Sequence, residues 1–388
     1  MVKSIIFPQV FNAKMQPSDS DLVEGADNAE AAVVGELLEP LARLAKGRYS
    51  EDEGGKEETP LNRQLAMLAL RSFARRFGAR NQSAFKTTVC QTMSRKSFLR
   101  SLDGDSIAAA AMLCLTEVFA SIGPHAVAFL PPFVAWLLDK ISVGEDDDAA
   151  AMSPILMNSV ILSVQKLMEN FSGFLNPYFK KFVIGTCRLS QMGTDHEDAQ
   201  QYRQVANRAR HLQTAVAAGI PTHALLPICR DCFDELVQAQ QGSSSLSSSS
   251  VVCVSALANI LRENVAELDK SAALAVSAPL VDFFQHAFKY RQIVHRSSDD
   301  GNVDDSSICK VEADVIEAFL ALTLKLSLDD FKPLFYRVFN ISTVDQGADG
   351  GDAIDGIITG FHVTLCVARR LKGLFEFACE TVVQRWVF

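Results

Sequence analysis

Apolar residues recur three and four positions apart along most of this chain, with polar residues filling the intervals. The plainest case is the stretch 311–340, VEADVIEAFLALTLKLSLDDFKPLFYRVFN. Val311, Val315, Phe319, Leu322 and Leu326 fall on one side of an α-helix. Ser327 then stands at a helix-start position, with Asp329 and Asp330 in the first turn that follows. A second apolar set, Phe331, Leu334, Phe335, Val338 and Phe339, continues from it. Two amphipathic helices joined by a short turn make a hairpin that cannot bury its own apolar face and needs a neighbour on each side.

The same reading predicts helices along the rest of the chain. They run over 29–48, bent at Pro40, and over 60–77, between Pro60 and Gly78, with 83–99 as its partner. The next are 105–122 with 124–141, 153–171 with 176–190, 197–218 with 221–241, and 251–268 with 270–294. After the 311–340 hairpin come 354–370 and 374–388. Residues 1–28 carry little pattern and are expected to be a poorly ordered lead-in. The tract Gly242–Ser250, GSSSLSSSS, reads as a flexible linker. First helices of successive pairs start mostly at roughly 40–50-residue intervals, close to the ~40–47-residue period of HEAT and armadillo repeats with insertions in loops. The pattern alone therefore predicts an all-α, HEAT/armadillo-type α-solenoid of stacked antiparallel helix pairs.

Composition agrees. Hydrophobic residues make up 48% of 388 residues and charged ones 21%, which is globular rather than disordered. The most apolar uninterrupted run, 107–115, is far shorter than the ~20 residues of a membrane span, so no membrane partner is expected. The nine cysteines are scattered through helical patterns, which suits reduced thiols rather than a disulfide framework.

The formal charge of −9 argues against a chain that coats nucleic acid throughout. One segment reverses that balance. Residues 60–100 hold nine Lys and Arg and no Asp or Glu. Arg71 and Arg75 are four apart on one predicted helix, and Arg76 and Arg80 follow. Guanidinium groups gathered in this way suit a phosphate backbone, and equally an acidic protein surface or a plain solvated face. Apolar positions Leu65, Leu68, Phe73 and Phe77 are expected to turn inward and leave the arginines outside.

Signals for catalysis are weak. Cys229-Arg230-Asp231-Cys232 is a C-x-x-C with no second ligand pair spaced for zinc, so helix packing is the expected role of both cysteines. The seven histidines are isolated, and no phosphate loop or nucleophile elbow is present in the sequence. Neither an enzyme, a cofactor nor a small-molecule substrate is expected.

Four stretches carry a resemblance. LTLKLSLDDFKPLFYRVF within 311–340 resembles the C-terminal domain signature of the U-three small nucleolar RNA-associated protein ten family, the large HEAT-repeat proteins of the small-subunit processome. AAMLCLTEVFASIGPHAVAFLPPFV at 110–134, SVQKLMENFSGFLNPYFKKFV at 163–183 and AAGIPTHALLPICRDCFDEL at 217–236 resemble further stretches of that family, in its order. The chain departs from the family at His223 and at Asn340-Ile341-Ser342. The resemblance covers roughly 61–377; with the pattern, which makes 1–59 a poorly ordered lead-in with one helix, it implies HEAT-like repeats over 60–219 and the family's C-terminal domain over 220–388, stopping in mid-array as a fragment. It implies a non-catalytic scaffold of the nucleolus that supports ribosomal DNA transcription and processing toward the small-subunit rRNA. The implied partners are WD-repeat and helical processome subunits, with precursor rRNA or small nucleolar RNA. A HEAT adaptor of another system, such as nuclear transport, is the alternative.

Overall fold

The computed structural model describes residues 20–47, 58–142, 152–194, 200–241, 248–297, 305–340 and 350–372, and among these there is no strand. The α-helices are α1 Ser20–Lys46, α2 Pro60–Phe77, α3 Gln82–Phe85, α4 Gln91–Met93, α5 Lys96–Arg100, α6 Asp105–Ile122 and α7 Leu130–Ser142. They continue with α8 Pro154–Phe171, α9 Phe179–Thr194, α10 Gln200–Gly219, α11 Thr222–Gln241, α12 Ser248–Ala266 and α13 Lys270–Ala287. The last are α14 Tyr290–Ser297, α15 Asp305–Thr323, α16 Leu328–Phe339 and α17 Gly350–Leu371.

Local chemistry sets several of these starts. Thr59 and Ser153 each accept a backbone N–H three residues on, from Asn62 and Leu156, and each precedes a proline at the first helical position. Asp269 caps α13 through Ala272 N–H at 2.7 Å, and Ser327 caps α16 as its position predicts.

The helices stack in two layers. In one, α2, α6, α8, α10, α12, α15 and α17 pack side by side in chain order. In the other, the 82–100 segment, α7, α9, α11, α13 and α16 lie behind them. This is an α-solenoid of the HEAT/armadillo type. Polar side-chain contacts between helices report the stacking directly, because their sequence separations match one repeat. Ser153 N–H donates to Asp105 across 48 residues, Arg208 to Asn158 across 50, and Asn264 to the Ala217 carbonyl across 47.

The layers meet in a continuous apolar core. Helix α6 is buried almost all round, which is why residues 108–111 can be four successive alanines. Asp105–Ile141 is long and apolar enough by composition to cross a membrane, a feature that the uninterrupted run 107–115 understates, and it lies mostly buried within the array. In the last pairs the core is aromatic: Phe284, Phe319, Phe331 and Phe335 follow one another at centroid distances of 5.4, 6.2 and 5.8 Å.

Several expectations change in detail. The predicted 83–99 helix is broken into α3, a π-helical turn at Lys86–Cys90, α4 and α5. The predicted 270–294 helix splits at Phe288-Lys289 into α13 and α14. Ser248–Ser250 of the serine tract begin α12, and its remaining residues lie outside the described ones, as do 1–19 and the predicted helix 374–388. The inward face of α2 is also corrected. Ala66, Met67, Leu70 and Ala74 are buried, Phe73 and Phe77 pack partly against the core, and Leu65 and Leu68 are exposed at 55% and 38%. α2 packs against both α1 and α6, which together select this face. At the end of α2 a Cβ on Gly78 would stand 2.2 Å from Ser121 Oγ. Gly78→Ala is therefore expected to push α2 off α6 and destabilise by about 1–3 kcal/mol, read as a fall in the thermal midpoint.

Candidate functional site

The four arginines singled out from the sequence divide into two pairs. Arg71 and Arg75, one turn apart on α2, both turn toward α6 and meet Glu117. Arg71 Nε is 3.7 Å and Arg75 Nη2 3.5 Å from the same carboxylate oxygen, Oε2. Lys166, arriving from α8, places Nζ 2.6 Å from the other oxygen, Oε1. Arg76 and Arg80 are exposed and stand apart from this cluster, with the Arg76 guanidinium 5.6 Å from the Phe77 ring centroid.

Glu117 is the anion that a reading of 60–100 alone does not see. Its side chain is 8% exposed. Burial would raise its carboxyl pKa, but Lys166, and then Arg75, outweigh burial and hold it below the ordinary carboxylate value. One carboxylate facing three cations leaves an excess of positive charge at this seam. Arg75 keeps 69% of its side chain in solvent while making the contact.

The positive surface continues along the same layer. Arg208 on α10 donates from Nη1 to Asn158 Oδ1 on α8 at 2.8 Å, and Arg203 and Arg210 on α10 are exposed. Helices α2, α9 and α10 contain no Asp or Glu. Among the described residues of 60–219, seventeen Lys and Arg face five acids, and Glu117 is one of the five. Arg71, Arg75, Lys166 and Arg208 thus lie along three helices of one layer, α2, α8 and α10, the first three around Glu117 of α6 and the last against Asn158 of α8. Cations spaced in this way raise the positive potential over the layer.

A second polar cluster joins α14, α15 and α17. Arg291, 2% exposed, donates from Nε and Nη2 to the two oxygens of Glu312, each at 2.9 Å. Glu312 also accepts from Thr359 at 2.6 Å and lies 3.0 Å from His362 Nδ1. Arg291 further reaches Asp305 at 2.6 Å, and His295 stands 2.7 Å from Asp355 of α17. Burial would raise the Glu312 carboxyl, but the hydrogen bonds from Arg291 and Thr359 hold it below its ordinary value.

Cys309, Glu312 and His362 offer sulfur, oxygen and nitrogen within 4.8 Å of one another, as a metal site would. The donors are already engaged by a cation, since Arg291 Nη2 is 2.9 Å from Glu312 and 3.3 Å from Cys309 Sγ. A metal ion here would have to displace the guanidinium, so the donor set fits an ion-pair tie and not a metal centre. Cys229 and Cys232 are both buried in α11, and burial pushes the Cys232 thiol up to about 12. Neither carries the exposed, lowered-pKa character of a reactive cysteine.

Comparison with known proteins gives one consistent result. The BP28CT (NUC211) domain family matches residues 272–385. HEAT repeat-containing protein 1 of Danio rerio is 25% identical over 377 residues, 97% of this chain and 16% of that protein. The Homo sapiens protein of the same name is 23% identical over 349 residues, 90% of this chain and 15% of that one. The Drosophila melanogaster homolog is 25% identical over 375 residues, 96% and 17%. The chain thus spans about a sixth of the length of these relatives. Among solved structures, importin beta aligns at a TM-score of 0.38 and 13% identity, over 96% of this chain and 44% of that one.

Proposed function

We propose that this chain, which carries the C-terminal domain of the HEAT repeat-containing protein 1 homologues, is a segment of a non-catalytic scaffold of the nucleolar small-subunit processome. In this reading it supports ribosomal DNA transcription and processing of the precursor toward the small-subunit rRNA. Its neighbours are WD-repeat and helical subunits of the same assembly, and its place is the nucleolus. A stacked array supplies extended area for assembly, and the polar clusters described above are engaged in structural ties, which favours a scaffold over turnover.

Within that role, the acid-poor strip through Arg71, Arg75, Lys166 and Arg208 contacts the phosphates of precursor RNA without reading base sequence. The observation that carries this is the convergence of Arg71, Arg75 and Lys166 on a single buried carboxylate, which fixes an uncompensated positive seam on the layer. Arg71 and Lys166 must stay in any test, because Glu117 would otherwise be left buried without a partner. Arg75→Gln combined with reversal of Arg76, Arg80 and Arg208 to Glu should leave the thermal midpoint within a few degrees of the parent, because Arg71 and Lys166 still face Glu117. RNA affinity should fall at least about tenfold at low salt, and the slope of log K against log salt should drop by about three. Retrieval of precursor rRNA with the variant from cells should fall in step. Unchanged affinity and slope, with normal retrieval, would show the strip to be a solvated face.

A further inference from the structure

Leu61, Leu65 and Leu68 lie on the outward side of α2, outside its buried face and outside the cation cluster around Glu117. They have counterparts on α8, where Ile155 is 58% and Leu162 38% exposed. Helices α2, α6 and α8 run in register. Ser153, before α8, donates its N–H to Asp105 at the start of α6, and Gly78 at the end of α2 stands against Ser121 near the end of α6. In that register Leu68, Leu113 and Leu162 each hold the ninth position of their helix. They make an apolar band across three neighbouring helices, and Leu61 and Ile155, each at a second position, extend it toward the helix starts.

The middle helix is recessed. Ser106, Leu113, Glu117 and Ala120 share the outward side of α6 at helical spacing, yet Glu117 is buried and Leu113 and Ala120 are half-buried. The ridges of α2 and α8 therefore flank a groove floored by α6. Two steps of the ~8–10 Å between packed helices separate the ridges, so a helix about 10 Å wide fits between them. One turn past the leucines the groove becomes cationic: Arg71, Arg75 and Lys166 meet Glu117 and Glu169, and α2 contributes no acid. A phosphate backbone gains nothing from exposed aliphatic side chains, which strip its charges of water. What covers this groove must be apolar along one side and acidic at one end.

We infer that the groove between α2 and α8 seats an amphipathic helix of a partner protein. Its leucine or isoleucine side chains lie on Leu68, Leu113 and Leu162, and its acidic end turns to Arg71, Arg75 and Lys166. The stretch of α2 from Leu61 to Arg75 rises about 21 Å, so about 14 residues of partner helix span it. This inference does not rest on RNA contact. Arg75 would serve either ligand, so the leucines and not the arginines tell the two apart.

Fluorescence anisotropy on the full chain tests it. The probe is a labelled synthetic helix of about 16 residues, with leucines three and four apart and glutamates in one terminal turn. The controls carry lysine for glutamate, or serine for leucine. The acidic amphipathic peptide should bind at least about tenfold more tightly than either control. Leu68→Ser combined with Leu162→Ser should weaken it about tenfold, and Arg75→Gln about twofold to fivefold. These side chains are exposed, so both variants should keep the parent's thermal midpoint. The leucine variant should also keep the parent's affinity for RNA. Equal binding of the three peptides, or peptide affinity that survives the leucine substitutions, would overturn the inference. Loss of RNA affinity in the leucine variant would assign the ridges to an RNA surface instead. Self-association of the chain that the leucine substitutions abolish would place a second copy in the groove, and not a partner helix.

Discussion

Glu312→Ala is expected to cost about 3–5 kcal/mol, because it leaves a buried guanidinium without its main anion. Arg291 is 2% exposed and would keep Asp305, whose own side chain is 73% exposed, and the weak acceptor Cys309 Sγ. The hydroxyl of Thr359 and the ring of His362 would lose their shared partner as well. Glu312→Gln keeps the shape without the charge and should cost less. Acid adds a second reading. The folded-state pKa of Glu312 is lowered, so its stabilisation is present above the ordinary carboxylate pKa of ~4.3 and is lost as pH falls through the lower folded value. Glu117 works in the same direction. Asp314, whose carboxyl is raised by burial, works in the opposite one. The gap in urea midpoint between parent and Glu312→Gln should therefore narrow as pH falls from neutral to below ~4.3. A constant gap across that range would assign the loss to packing and not to the ion pair.

Phe335→Ala is expected to match it in size, at about 3–5 kcal/mol. The ring is fully buried, with Phe331 and Phe339 at centroid distances of 5.8 and 5.9 Å. It also forms one wall of the groove between α16 and α17, so truncation would enlarge a space that already exists there. In an array whose repeats touch only their neighbours, the loss should concentrate locally. Amide exchange in α15, α16 and α17 should accelerate while α6 and α8 stay protected. Uniform acceleration along the chain would mean that the array unfolds as one cooperative unit.

How legible this was in the sequence depended on the range of each interaction. The bounds of α2 and α6 and the Ser327 cap could be read locally, because proline, glycine and a capping hydroxyl act within one turn. The face that α2 buries could not, since a helix bearing both Leu65, Leu68 and Ala66, Leu70, Ala74 offers two stripes. The choice between them is made by α1 and α6, which pack against α2 and lie far from it in local spacing. The break at Phe288-Lys289 was hidden because the apolar period runs on through it into Tyr290 and Val294. Arg71 and Arg75 were visible as a charge anomaly, but Glu117, the anion they share with Lys166, stands 42 to 46 residues further along the chain. Matching positions one repeat apart was the signal that could have paired them. Local helical spacing carries no such information.

The ties that cross one repeat at a time have a mechanical meaning. Asp105 to Ser153, Glu117 to Lys166, Asn158 to Arg208 and Glu312 to Thr359 each fasten one helix to the next of its layer. Joined in this way, the helices carry tension as links in series: a pull at the two ends reaches every junction at nearly full strength. Extension should then proceed in steps, one junction parting at a time. Short polar bonds give way within an ångström or so of stretch, whereas apolar seams can slide. The junctions pinned by ion pairs should be stiff and brittle, and those closed mainly by alanine and phenylalanine should bend first.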